Sequence, residues 1–111
     1  MKLVQVIIAP ERLEAVKDAL AAAEVFRFTI SEVSGIGHHR DKAEAGQAQL
    51  EIEMFKRLKL EIAVNDNFVA PTIDAVLKAA GAESAGIGKV LVLKLDDVIR
   101  IRTGEHGTDA I

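Results

Sequence analysis

The strongest constraint on this chain is an order: strand then helix, twice, with a further strand closing each pair. Leu3 to Ala9 is a short apolar run rich in Val and Ile, the pattern of a buried strand. Pro10 follows, and a proline fits the first turn of a helix, where its missing N–H has no intrahelical partner. Leu13, Val16 and Leu20 then recur at helical spacing among Glu11, Arg12, Lys17 and Asp18, which predicts an amphipathic helix over about Pro10 to Ala23. Val25 to Val33 alternates like a half-buried strand, with Phe26, Phe28 and Ile30 on one face and Arg27, Thr29 and Ser31 on the other. The second round repeats this grammar. Leu58, Leu60, Ile62 and Val64 alternate with Lys59, Glu61 and Ala63, and Asn65-Asp66-Asn67 reads as a turn with a capping residue. Ile73, Val76, Leu77 and Ala80 line one side of a helix over about Phe68 to Ala80, with Pro71 in its first turn and Gly81 as its C-terminal cap. Lys89 to Leu95 is the closing strand.

The order β-α-β-loop-β-α-β specifies an α+β fold, the ferredoxin-like βαββαβ sandwich, as a single domain over residues 1–111. Both helices cover one face of the sheet. The other face needs a cover, and a chain this short gains from burying it against copies of itself. Two stretches lie outside the pattern. Residues 37–56 make a polar connection far longer than the two to five residues of an ordinary hairpin. It reads either as a tolerated insertion or as a partner-binding, ligand-responsive loop. Its first part, Lys42 to Gln49, favours helix, and Leu50 to Met54 alternates like a strand extension. The C-terminal segment, 96–111, holds a last alternation, Val98-Ile99-Arg100-Ile101-Arg102.

Composition narrows the function classes. The formal net charge is −3 with both signs interspersed, which argues against nucleic-acid binding driven by a basic face. Tyr and Trp are absent and only four Phe are present, so base-stacking platforms are hard to build. The absence of cysteine removes disulfides, thiolate zinc sites and cysteine nucleophiles, and fits a reducing compartment. The N-terminal apolar run ends at Pro10, too short for a signal peptide or a membrane span, so a soluble cytoplasmic protein without membrane insertion is expected.

Three groups of residues carry candidate chemistry. Gly86-Ile87-Gly88-Lys89 lets backbone approach an anion closely with a lysine beside it; taken alone, a plain turn is the plainer reading. Arg100 and Arg102, at i and i+2 of an extended segment, share one side, with Ile99 and Ile101 free to anchor the other on the core. They are either a phosphate clamp or two solvated arginines. His38 and His39 diverge on an extended chain; a metal there needs further ligands such as Asp41 or Glu44, and exposed loop histidines are the plainer reading, as for His106. No catalytic constellation is present in the sequence.

These features coincide in one pattern. Lys2-Leu3-Val4, the Ala9-Pro10 step, Thr29, Ser31-Glu32-Val33-Ser34-Gly35-Ile36-Gly37, Lys59-Leu60-Glu61-Ile62, Gly86-Ile87-Gly88-Lys89 and Val98-Ile99-Arg100-Ile101-Arg102-Thr103-Gly104-Glu105 together resemble the P-II nitrogen regulatory family. Asn65 to Val69 with Pro71 to Ala75 is similar to a divergent P-II group, some of whose members are encoded beside heavy-metal efflux transporters. The resemblance implies a homotrimer that binds ATP or ADP in the clefts between subunits and regulates a protein partner, a membrane transporter or a metabolic enzyme, through residues 37–56. It implies Lys89, Arg100 and Arg102 on the phosphates, the arginines from the neighbouring subunit, with the Gly86-Ile87-Gly88 backbone cradling the same groups. Thr29 and Glu61 would meet the adenosine end, and Gly35, Gly37 and His38 would form the loop base over the nucleotide.

The departures from the family pattern shape the expectation. The chain has no tyrosine, and no Ser or Thr occurs between Gly37 and Lys56, so covalent switching on a loop hydroxyl is not expected. His38-His39 replaces an Arg-Gln pair whose glutamine helps hold the Mg²⁺ through which 2-oxoglutarate binds, and Arg57 stands for a lysine that meets its carboxylate. Ile87 replaces an aspartate, and Ala82-Glu83-Ser84 replaces Thr-Gly-Lys, exchanging a lysine for an acid near the phosphates. ADP or AMP is therefore favoured over ATP, and 2-oxoglutarate is disfavoured. A metal-responsive trimer built on His38 and His39 is the alternative.

Overall fold

A computed structural model describes residues 1–40, 50–81 and 88–111. The elements run β1 (Lys2–Ile8), a 3₁₀ turn (Pro10–Arg12), α1 (Leu13–Ala22), β2 (Thr29–Arg40), β3 (Leu50–Val64), α2 (Asp66–Ala80), β4 (Lys89–Lys94) and a final 3₁₀ turn (Gly107–Ala110). The strands form one antiparallel sheet in the order β2-β3-β1-β4, the ferredoxin-like arrangement.

Alternation decides which side chains meet the helices. Val4, Val6 and Ile8 of β1 and Leu60, Ile62 and Val64 of β3 face Val16 and Leu20 of α1 and Val76 of α2, and all are buried. The opposite parity puts Leu3, Gln5, Ile7, Lys59, Glu61 and Ala63 on the helix-free face, with Leu91 and Leu93 of β4 opposite Gln5 and Leu3. Among the described residues nothing covers Leu91 and Leu93 on that face, which are 45% and 43% exposed.

The ends of α1 and α2 show what stops them. At α1, Glu24 takes φ +63°, its N–H bonding Ala21 O at 3.0 Å while the Val25 N–H bonds Leu20 O at 2.8 Å. This is a Schellman closure with a glutamate where glycine is usual. Gly81 caps α2 at φ +69°.

Several expectations change. β2 begins at Thr29, and residues 25–28 are irregular: pairing with β3 stops at Thr29↔Glu61, while β3 continues to Val64 alongside β1. Helix α2 starts at Asp66, so Pro71 lies inside it and not in its first turn. Asn65 is its N-cap by position, but its side chain makes no cap bond; Nδ2 donates to Thr108 O at 3.4 Å. Residues 37–40 and 50–56 are strand. The β2–β3 register continues without slip to Arg40↔Leu50, so only 41–49 lie between the strands. The alternation of Leu50 to Met54 is the part of this strand that the sequence reading anticipates, and Ile36, Ile52 and Met54 lie exposed on one face of the arm.

The C-terminal alternation is not a strand. Among the described residues no strand pairs with it, and an isolated bridge between Ile99 and His106 is what forms. Residues 101–103 turn, and Gly104 takes φ +72°. Ile99 and Ile101 do not anchor on the core: they are 56% and 101% exposed.

Candidate functional site

The helix-free face gathers five of the nucleotide candidates, Thr29, Gly35, Gly37, Glu61 and Lys89, through register alone. Thr29 lies directly opposite Glu61, and Ser31 opposite Lys59. Ile7 of β1 pairs with Lys59 on one side and Lys89 on the other. Residues directly opposite share a face, so Thr29, Glu61, Lys59 and Lys89 all look the same way. The two lysines stand two strand spacings apart, about 9.6 Å, with Ile7 between them. Lys59 Nζ and Glu61 Oε1 are 3.8 Å apart and both side chains are about one-third exposed, a weak pair that a stronger anion can displace. Gly35 and Gly37 continue the same parity along β2, opposite Phe55 and Glu53. A Cβ at Gly35 would meet nothing within 4 Å, so its smallness is not demanded by this chain's own packing.

Arg57, on the same face, is already engaged. Its Nη1 donates to Lys56 O at 2.8 Å and its guanidinium carbon lies 5.1 Å from the centre of the Phe55 ring, a cation–π stack, while its buried Nε has no hydrogen-bond partner. Gly88 and Lys89 are exposed at the start of β4; Gly86 and Ile87 lie outside the described residues. The backbones of His38 and His39 pair with Ile52 and Glu51, but their side chains lie outside the described residues, as do Asp41 and Glu44. Among the described residues no three His, Cys, Asp or Glu side chains converge as a metal site.

Arg100 is elsewhere. It lines a cleft of about 420 Å³ with Phe26, Arg27, Val64, Asn65 and Ile111, at the end of the sheet where β4 finishes. Lys89 begins β4, so the strand separates the two cations by about 17 Å at 3.3 Å per residue. One copy of the chain therefore does not bring Lys89 and Arg100 together. Arg100 is half-buried; Nη1 is 3.8 Å from Glu105 and Nη2 donates to Ile111 O at 3.4 Å. Arg102 is exposed in the following turn. Because 100–104 is a turn and not an extended strand, the side-by-side placement expected from i, i+2 spacing does not follow.

The sequence reading missed the groups around Arg100. His106 Nδ1 lies 2.8 Å from Asp97 Oδ2. Asp97 is held below the usual aspartate range by that bond first, then by the Val98 N–H and the Gly107 N–H. Asp66 is likewise held low, by the Met1 amine 2.6 Å away. Nothing in hydrophobic period links residue 97 to 106 or 26 to 111; these meetings come from a turn and from tertiary packing.

Among the described residues no helix is long and apolar enough to cross a membrane. The family model described as Nitrogen regulatory protein P-II matches residues 1–105. Nitrogen regulatory protein GlnK1 of Methanosarcina mazei is 46% identical, covering 100% of this chain and 97% of its own length. Nitrogen regulatory protein P-II of Nostoc punctiforme is 39% identical over 100% of both chains. Nitrogen regulatory protein P-II 2 of Methanothermobacter thermautotrophicus is 38% identical over 100% of this chain and 97% of its own.

Proposed function

The chain belongs to the nitrogen regulatory protein P-II family, whose members are regulatory signal transducers rather than enzymes, and on that premise we propose that it reports adenine-nucleotide state to a protein partner. The family is trimeric. ATP, ADP or AMP sits in the clefts between three copies of this chain, ADP or AMP with preference over ATP. Lys89 and the backbone of Gly86, Ile87 and Gly88 hold the phosphates from one subunit, and Arg100 and Arg102 reach them from the next. Thr29 and Glu61 face the adenosine, and Gly35, Gly37 and His38 border it. The observation that carries this reading is the separation of Lys89 from Arg100 along β4: a phosphate touching both has to lie between two copies. The exposed Leu91 and Leu93 and the open space at Gly35 support it, because both suit a face that closes against another molecule.

An effector carboxylate at Arg57 has to compete with the Lys56 carbonyl and the Phe55 ring. 2-Oxoglutarate, and Mg²⁺ near His39, therefore add little to nucleotide binding. The arm and tip over residues 37–56 present the nucleotide state to a transporter or metabolic enzyme in the cytoplasm. Switching is non-covalent, since that stretch has no Tyr, Ser or Thr.

Titration calorimetry with ATP, ADP and AMP, each with and without Mg²⁺ and 2-oxoglutarate, tests the proposal. Lys89→Ala and Arg100→Ala should each abolish binding. Oligomers mixed from the two variant chains should regain it, because some clefts then pair an intact Lys89 with an intact Arg100. Undiminished binding by both variants, or no regain in the mixture, refutes the shared site.

A further inference from the structure

The segment from Asp97 to Gly107 is held in shape by hydrogen bonds within itself. At its tip the Arg100 N–H donates to Glu105 O at 2.9 Å and the Gly104 N–H to Arg100 O at 2.7 Å. The Glu105 N–H donates to Thr103 Oγ1 at 3.2 Å. At its neck one carboxylate gathers three donors: Asp97 Oδ1 accepts from the Val98 N–H at 2.8 Å and the Gly107 N–H at 3.1 Å, and Oδ2 meets His106 Nδ1 at 2.8 Å. The Gly107 N–H also reaches Val98 O at 2.9 Å. Apolar burial does not supply the shape, because both isoleucines of the loop, Ile99 and Ile101, are exposed.

The geometry points to Asp97, with His106, as the clasp that positions Arg100 and Arg102 for phosphate. This rests on the nucleotide reading above. Asp97 and His106 touch no ligand in that reading; they act through the two arginines, as positioning residues. Arginine carries a large rotamer entropy, and a loop closed in advance spares the ligand part of the cost of ordering it. The clasp also disposes of a charge. Asp97 is an acid three residues from Arg100, and its carboxylate is occupied by backbone N–H groups and the imidazole instead of facing the phosphates.

The test uses the full-length protein and two readouts: amide hydrogen exchange of the Arg100, Gly104 and Gly107 N–H groups, and calorimetry with ADP. Asp97→Ala should speed exchange at all three amides and weaken ADP by roughly tenfold, the size of one lost charge-assisted hydrogen bond, while leaving exchange in β1 and β3 unchanged. His106→Ala should act in the same direction. His106→Asn, which retains a side-chain donor, should recover most of the affinity, a rescue that loss of general stability would not give. Unchanged exchange or unchanged affinity in Asp97→Ala overturns the assignment. No ADP binding by the unaltered protein, with the three amides protected, refutes the nucleotide reading and the clasp's role with it; ADP binding that survives Asp97→Ala overturns the clasp alone.

Discussion

Replacing Glu24 by glycine should stabilise the protein. Glu24 sits at φ +63°, immediately after α1, and both Schellman hydrogen bonds are already in place around it. The strain comes from the Cβ of an L-residue in a left-handed conformation, about 1–2 kcal/mol. Glycine removes that strain but gives the unfolded chain more freedom, which takes back about 0.5–1 kcal/mol. The net gain is about 0.5–1 kcal/mol, equivalent to about 3–6 °C in Tm for a domain near this size. Val25 and Leu20, which close the motif, both remain in the core, so no packing changes. The assay is urea unfolding of the wild type, Glu24→Gly and Glu24→Ala at one fixed protein concentration, since association also contributes to stability. Alanine keeps the Cβ and the strain and should stay within about 0.5 kcal/mol of wild type. A glycine variant no more stable than the alanine variant refutes the argument.

Leu60, fully buried on a central strand, should cost about 3 kcal/mol when cut to alanine, read as a lower urea midpoint. Thr72→Val should be neutral or stabilising by up to about 1 kcal/mol in the same assay, because the buried Thr72 Oγ1 has no hydrogen-bond partner to lose. Lys89→Ala should leave the unfolding midpoint within about 0.5 kcal/mol of wild type, its side chain being exposed, so that any lost nucleotide binding is not lost folding. Asp97 and Asp66 have carboxyls held low in the folded chain, so their contribution is fully present above the ordinary aspartate value and is lost as pH falls below about 4. Amide exchange at Gly107 should accelerate over that acid range, and Asp97→Asn should remove the dependence.

The sheet was legible because parity is legible. Leu60, Ile62 and Val64 alternate with Lys59, Glu61 and Ala63, and the same count that buries the first set presents the second with Thr29 and Lys89. Pairing was less legible than pattern. Val98 to Arg102 alternates as well as β3 does, yet no strand among the described residues pairs with it, and it turns and leaves Ile101 fully exposed. Residues 37–40 show the reverse error: their polarity suggests a loop, but they pair with Leu50 to Glu53, part of the stretch whose alternation does read as strand. The separation of Lys89 from Arg100 was invisible along the chain, where they are eleven positions apart; it depends on β4 running its full length between them.

The unbroken β2–β3 ladder has a consequence for how this chain can vary in length. One residue added to either strand below the arm would turn every later side chain to the opposite face, moving the lysines and glycines of the open face into the helix layer's side. Lengthening is therefore free of this penalty only between Arg40 and Leu50, or by matched two-residue additions to both strands. The arm acts as a ruler with its zero at Thr29–Glu61: its reach can be reset at the tip, while the marks nearer the sheet have to stay where they are.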